Sequence, residues 1–363
     1  MILSDDIVMR ECLRLARRGE GLASPNPLVG AVVVESGKIV ARGYHARFGG
    51  PHAEVNCLSK FAGNPARATL YVNLEPCPHH GKTPPCTKAI LSSGIRRVMI
   101  AMVDPNPLVR GRGIRTLRRH GVRVRTGVLR REAREVNRTF IKHVTTGLPY
   151  VHVKIAQSAD GYIASSRSRR RWITSLASRT LVHRWRAKTD AVLVGAGTVK
   201  ADNPRLDVRL SEGRDPAVVI LDGHCSVPLA SRVFRGERRV FLFIDERVRK
   251  ARRNKIARLE SRGVRVVAQQ GIKGRLSLRR VLRCLARENI GSILVEGGGN
   301  VYGQFLRSDL IDELSIFVAP AVFGHGVPLL GEGSERAERI GFLPRRTMTA
   351  IVGPDVLIKA WKE

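Results

Sequence analysis

Three short segments of this 363-residue chain hold residues whose types and spacing suit metal chemistry: His52-Ala53-Glu54, Glu75-Pro76-Cys77 and Cys86. One imidazole and two thiols make three soft protein ligands and leave a fourth tetrahedral position open for water, the arrangement of a catalytic rather than a structural zinc site. Zinc would lower the pKa of such a water to about 7. Glu54, two residues beyond the histidine, is close enough to serve that water without occupying the metal, taking its proton and handing it to a leaving amine. A His-x-Glu by itself arises often on protein surfaces, but the ordered set of His52, Glu54, Pro76, Cys77 and Cys86 is far more specific. Base deaminases carry His-x-Glu followed by Pro-Cys-x-x-Cys. Here eight residues separate the two cysteines.

These side chains need elements to bring them together. Ser4 followed by Asp5 and Asp6 reads as a helix start, with Val8, Cys12, Leu15 and Ala16 on its buried face. Residues 31–34 and 38–41 read as a hairpin across Glu35-Ser36-Gly37. Helices are then expected over 53–60, 86–93 and 112–120, and strands over 70–74, 98–102 and 122–124. His52 and Cys86 thus fall where helices begin, and helix amino termini favour thiolate.

The breaker-rich Thr145-Thr146-Gly147-Leu148-Pro149 places a domain boundary, after which strands and helices alternate again. Strands are expected over 150–156, 191–194, 217–221, 240–244, 264–267, 292–295 and 313–318. Helices are expected over 176–187, up to 262, 278–288 and 301–306. Alternation of this kind argues for layered α/β domains. Gly297-Gly298-Gly299 stands between a strand and a helix, where backbone amides can approach a phosphate. It lacks the Gly-x-Gly-x-x-Gly spacing of a dinucleotide fingerprint, so a simple tight turn is an equal reading.

Composition narrows the setting. The chain carries 64 Lys+Arg, 51 of them Arg, against 31 Asp+Glu, a formal net charge of +33. A dispersed positive field attracts phosphate-bearing partners of any size, and charge alone does not choose among metabolite, dinucleotide and nucleic acid. The local run Arg167, Arg169, Arg170, Arg171 reads as a solvated face or as a phosphate contact. No stretch approaches the roughly 18 apolar residues of a membrane span, and Met-Ile-Leu-Ser-Asp-Asp is unlike a signal peptide. A cytoplasmic protein is expected. Of the six cysteines, Cys12, Cys57 and Cys284 read as small buried hydrophobes, and no disulfide framework is expected.

At this point the motifs resemble a known family. Pro25-Asn26-Pro27-Leu28-Val29-Gly30, Pro51-His52-Ala53-Glu54, the run from Leu74 to Cys86 with His79-His80-Gly81 and Thr83-Pro84-Pro85 inside it, Asp104-Pro105-Asn106-Pro107 and Gly111-Arg112-Gly113 carry the first half of the likeness. Lys154 to Gly161, Trp172-Ile173-Thr174-Ser175, Arg186-Ala187, Asp190 to Val199, Asp202-Asn203-Pro204 and Val295 to Gly299 carry the second. Together they are similar to the bifunctional riboflavin biosynthesis family, which joins an amino-terminal pyrimidine deaminase to a carboxy-terminal reductase.

The resemblance implies a cytidine-deaminase-like three-layer α/β domain over 1–147 and a dihydrofolate-reductase-like α/β domain over 148–363. It implies Zn2+ on His52, Cys77 and Cys86, Glu54 as proton shuttle, and Asn26 on the pyrimidine ring. His45, His80 and Lys82 are read equally as substrate contacts or as structural residues. In the second domain it implies that Lys154, Arg186, Leu206, Arg209 and Glu296 meet a ribosyl phosphate substrate, and that Trp172, Thr198, Asp202, Gly297, Gly298 and Gly299 meet NADPH. Arginines suit a phosphate because each presents a planar fork of donors. Lys154 orients substrate, protonates the sugar, or is a solvated strand-end lysine.

The implied reaction is deamination of 2,5-diamino-6-ribosylamino-4(3H)-pyrimidinone 5′-phosphate, then hydride delivery to C1′ of the opened ribose. The chain departs from the family at Arg170, which replaces a substrate-contacting hydroxyl, at Gln157, and at Gly223 after Asp222. Two other readings therefore stand beside this one. In one the second domain is a degenerate module behind a working deaminase; in the other the basic charge serves a nucleic-acid-binding or base-editing deaminase. The partner expected is a small pyrimidine ribonucleotide, with no membrane and with a homo-oligomer left open.

Overall fold

The computed structural model describes residues 3–81, 83–165, 172–271, 275–330 and 342–362, and it divides into two compact units, Met1–Leu148 and Pro149–Glu363. The first unit begins with α1 (Asp5–Ala16), capped by the Ser4 hydroxyl, which accepts the Ile7 amide proton. β1 (Gly30–Glu35) and β2 (Lys38–Tyr44) follow as a two-residue hairpin, with Ser36 and Gly37 both at positive φ as that turn requires. Then come α2 (Ala53–Leu58), β3 (Ala68–Leu74), α3 (Cys86–Ser92), β4 (Arg97–Met102), α4 (Arg112–Arg119), β5 (Arg123–Thr126), α5 (Arg130–Val136) and α6 (Arg138–Thr146).

The sheet order is β2-β1-β3-β4-β5, antiparallel across β2, β1 and β3 and parallel onward. Two glycines show that helices cover both of its faces. A Cβ on Gly30 would stand 2.1 Å from the Cys12 carbonyl oxygen of α1. Gly43 pairs with Ala31 and so points to the other face, where a Cβ would stand 2.4 Å from the Cys57 amide nitrogen and 2.5 Å from the Ala53 oxygen of α2. The three layers enclose one core, with Val8, Cys12, Val32, Leu70, Ile100 and Leu117 fully buried.

The second unit opens with β6 (Tyr150–Ser158), β7 (Tyr162–Ser165), α7 (Leu176–Lys188), β8 (Ala191–Gly195), α8 (Ala196–Asp202), β9 (Ala217–Leu221) and β10 (Val240–Asp245). It continues with α9 (Arg253–Glu260), β11 (Val264–Gln269), α10 (Leu278–Arg287), β12 (Ser292–Val295), α11 (Gly299–Leu306), β13 (Glu313–Ala319), β14 (Gly326–Pro328), β15 (Arg346–Val352) and β16 (Asp355–Trp361). Nine strands run in the order β11-β10-β9-β8-β12-β6-β13-β16-β15. The first seven are parallel and β16 pairs antiparallel with both β13 and β15, while β7 and β14 pair separately. β8, β9 and β10 are near-continuous apolar runs because a parallel strand is covered on both faces. The carboxyl ends of β8, β12 and β6 lie side by side where the chain order reverses, the usual place of a ligand crevice in open α/β sheets.

The structure adds elements that the pattern did not suggest: α5, α6, α8, β7, β14, β15 and β16. α5 buries only Ala133 and so carries no apolar stripe. β15 is an edge strand whose residues are mostly exposed or half-buried. The breaker segment at 145–149 is in part helical, since α6 runs through Thr146 and ends on Gly147 in the left-handed conformation. Among the described residues no helix is long and apolar enough to cross a membrane.

The seat of α2 is testable. Gly43→Ala forces backbone atoms apart and is expected to cost about 1–3 kcal/mol in urea unfolding while loosening zinc. Gly37→Asn, in open space and a left-handed turn, is expected within about 0.5 kcal/mol of wild type.

Candidate active sites

In the first unit the three expected metal ligands converge. His52 is the N-cap of α2, Cys86 is the first residue of α3, and Cys77 lies three residues past the end of β3. His52 Nδ1 lies 3.1 Å from Cys86 Sγ and 3.6 Å from Cys77 Sγ, and the three ligand atoms all fall within 4.8 Å of one another. Zinc with a bond of about 2.1 Å to nitrogen and about 2.3 Å to sulfur would place those atoms about 3.6 Å apart in a tetrahedron. The donor set fits that ion closely. The Cys86 amide donates to Cys77 Sγ at 3.4 Å. The hydrogen bond from Cys86 holds the Cys77 thiol well below its ordinary range against burial, with His52 and that amide assisting.

Glu54 is buried beside the trio. Burial raises its carboxyl to about 6, and the neighbouring Cys77 adds to the rise. Asn26 Nδ2 lies 3.1 Å from His45 Nε2, and His45 Nδ1 lies 3.0 Å from the Pro51 oxygen. A neutral His45 with its proton on Nδ1 satisfies both contacts, and burial keeps the ring neutral. The Asn26 amide is thereby oriented, with its oxygen left for another donor. The His45 ring stands edge-on to His52 at 5.4 Å.

Glu75 was quoted in the motif but given no task, and it proves to be a buried hub. Its carboxylate accepts the amide protons of Asp104, Gly111 and Ile114 at 3.2, 2.9 and 3.2 Å. Those bonds tie the 104–111 loop and the start of α4 to the strand end that carries Cys77. Asp104, buried next to Glu75, is pushed up to about 7 by burial, with its bond to the Asn106 amide opposing.

In the second unit Arg186, Glu296 and Lys154 come together from α7, the end of β12 and β6. Arg186 and Glu296 form a bidentate pair at 2.6 and 2.9 Å, with little of either side chain exposed. Burial alone would raise Glu296, but the Arg186 charge and hydrogen bonds, with Lys154 behind them, hold it at about 2. Burial lowers Lys154 while Glu296 raises it. Arg186 Nη1 also donates to the Asp207 oxygen at 3.0 Å, and Arg209 is paired with the Asp207 carboxylate. Leu206 puts its side chain in the core at φ +58°, so any ligand contact falls to its backbone.

The glycine run opens α11. A Cβ on Gly298 would stand 3.1 Å from Thr198 Oγ1, and Cβ atoms on Gly297 and Gly195 would collide with Val301 at 2.5 and 2.8 Å. Thr198 and α8 are thus packed against the run, and the first amides of α11, at Gly299 and Asn300, have no carbonyl partner within their own helix. A cradle too tight for a Cβ, ending in amides without a carbonyl partner in their own helix, fits a phosphate of NADPH. Asp202 ends α8 on the exposed side, and Trp172 is half exposed beneath the Arg179 guanidinium. Arg170 and Lys82 lie outside the described residues. His183, which touches both Arg186 and Arg209, went unremarked in the sequence; its spacing three residues before Arg186 on one helix was the available signal.

A metal-binding α/β layer of this kind followed by a parallel-sheet nucleotide domain is the class of a zinc deaminase fused to a reductase. Comparison with known proteins agrees. Residues 3–102 match the cytidine and deoxycytidylate deaminase zinc-binding region, and residues 149–350 match the RibD C-terminal domain. The riboflavin biosynthesis protein RibD of Bacillus amyloliquefaciens is 42% identical over 364 residues, covering 98% of this chain and 96% of that protein. RibD of Escherichia coli K12 is 38% identical over 336 residues, covering 89% of each. Among solved structures, Acinetobacter baumannii RibD superposes with a TM-score of 0.87 at 32% identity, covering 98% of both chains. The Thermotoga maritima diaminohydroxyphosphoribosylaminopyrimidine deaminase/5-amino-6-(5-phosphoribosylamino)uracil reductase does so at 0.83 and 38%, again over 98% of both. The chain belongs to the RibD family of bifunctional riboflavin biosynthesis enzymes, whose cofactors are Zn2+ and NADPH.

The buried pair makes a pH prediction. A carboxyl held near 2 when folded and near 4.5 when unfolded contributes stability that is complete above about pH 4.5 and is lost as pH falls toward 2. Glu296→Gln leaves Arg186 without its countercharge and is expected to cost about 3–5 kcal/mol near neutrality. In urea unfolding series, the gap between wild type and variant should narrow steadily from pH 4.5 to pH 2.

Proposed function

We propose that residues 1–147 deaminate 2,5-diamino-6-ribosylamino-4(3H)-pyrimidinone 5′-phosphate and that residues 148–363 reduce the product to 5-amino-6-(5-phosphoribitylamino)uracil. The observation that carries the reading is the convergence of His52 Nδ1, Cys77 Sγ and Cys86 Sγ beside the buried Glu54. His52, Cys77 and Cys86 would hold zinc, which supplies Lewis acidity for activating water. Glu54 takes the proton of the attacking water and delivers it to the departing amine, so that C–NH2 and water become C=O and ammonia. Asn26, set by His45, accepts a ring N–H and orients the pyrimidine.

In the second unit Arg186, Arg209 and the Leu206 backbone hold the ribosyl phosphate, with Glu296 fixing the Arg186 fork. Gly297 to Gly299, with Thr198, Asp202 and Trp172 as further contacts, would hold NADPH, which would supply the hydride for reduction at C1′. Lys154, its charge weakened by burial, orients the opened sugar and gives up a proton. The partner is a small ribonucleotide rather than nucleic acid, because the site's charged groups converge on one crevice. Free cysteines, including the ligand pair, suit a reducing cytoplasm.

The full chain given this substrate and NADPH should release ammonia and lose absorbance at 340 nm together. Ammonia without NADPH oxidation would favour a degenerate second domain and place the fault near Arg170 or Gln157; silence in both would overturn the reading. Glu54→Gln is expected to keep its zinc and lose about 10²–10⁴-fold in ammonia release. Cys77→Ser should lose the metal itself, measured by elemental analysis, while both variants still reduce the deaminated intermediate.

A further inference from the structure

Segment 206–209 lies between α8 and β9 and has no secondary structure of its own. Leu206 sits there in the left-handed region, which a non-glycine residue keeps only where its surroundings hold it. Two hydrogen bonds from one face of α7 do so. Arg186 Nη1 donates to the Asp207 oxygen at 3.0 Å, and the Arg209 amide donates to His183 Nδ1 at 3.1 Å. His183 and Arg186 are three residues apart and therefore adjacent on the helix surface, and both are buried.

We propose that His183 is a positioning residue of the reductase site: by accepting the Arg209 amide proton it seats segment 206–209 against the Arg186–Glu296 pair and sets where the Arg209 guanidinium meets the substrate's anionic end. The inference rests on the substrate role proposed above for Arg186 and Arg209. The ring geometry favours this task over packing alone. Nδ1 must present its lone pair to the Arg209 amide, which leaves the neutral ring's proton on Nε2, 3.4 Å from Arg186 Nη1. That guanidinium nitrogen turns instead to the Asp207 oxygen. The groups facing the ring are Arg186, Arg209, Glu296 and Asp207; burial and the two arginines lower its pKa to about 4, so the acceptor survives at neutral pH.

The test uses the full chain at saturating NADPH, with the deaminated ribosylamino-pyrimidine phosphate varied. His183→Leu removes the acceptor and is expected to raise KM at least about 10-fold with kcat changed less than about threefold. His183→Asn, whose Oδ1 takes the place of Nδ1, should return KM to within about threefold of wild type. The NADPH Kd and ammonia release by the first unit should not move. Adding His183→Leu to Arg209→Met should raise KM no further than Arg209→Met alone, since the two act through one contact. An unchanged KM in His183→Leu beside a raised KM in Arg209→Met would overturn the inference and leave the site reading intact. No effect of Arg209→Met would overturn both. Loss of NADPH binding in His183→Leu, or a His183→Asn variant as impaired as His183→Leu, would assign the ring to packing and overturn its positioning role.

Discussion

The contact between α2 and the sheet at Gly43 governs the first unit. Backbone atoms of Ala53 and Cys57 come within the space a Cβ would fill, so the helix lies as close to the strand as a polypeptide allows. That approach sets the height of His52 and Glu54 over the sheet, and the other ligands must meet them there. Cys77 reaches the same height because β3 ends at Leu74, next to β1, and Cys86 because α3 packs on α2. Glu75 completes the arrangement by drawing three loop and helix amides onto the turn that holds Cys77.

The second unit solves a different problem, that of keeping charge buried. Arg186 is buried, and a buried guanidinium is tolerable only with a countercharge and full hydrogen bonding. Glu296 provides the first, and the Asp207 backbone oxygen accepts from the remaining donor edge. The same network that neutralises Arg186 holds segment 206–209, so electrostatic balance and loop geometry are one construction. The glycine run is simpler, since tight packing on Val301 and Thr198 brings the first amides of α11 to the carboxyl end of β12 in the middle of the sheet.

Much of this was legible beforehand. The clustering of His52, Cys77 and Cys86 beside Glu54 was readable because residue types that can ligate metal are rare, and their order and spacing carry information even without coordinates. Apolar runs such as Ala217–Leu221 and the stripe Leu278, Val281, Leu282, Leu285 announced their elements through period and length. α5 and β15 did not, because a helix burying one alanine and an exposed edge strand leave little trace in hydrophobic pattern. The tasks of Glu75 and His183 were hidden for another reason: each acts on backbone amides of residues 26 or more positions away, and an amide has no side-chain signature.

The sequence by itself determined the chemistry available, the two-part organisation and the family, since these depend on residue type, order and spacing. Tertiary structure alone decided which groups meet. His45 faces Asn26, His183 rather than another residue holds Arg209, and Leu206 turns its side chain into the core and not toward the crevice. Those outcomes follow from how helices seat on sheets, where a few tenths of an ångström at a glycine or one hydrogen bond to a loop amide selects among side chains that the sequence makes equally eligible.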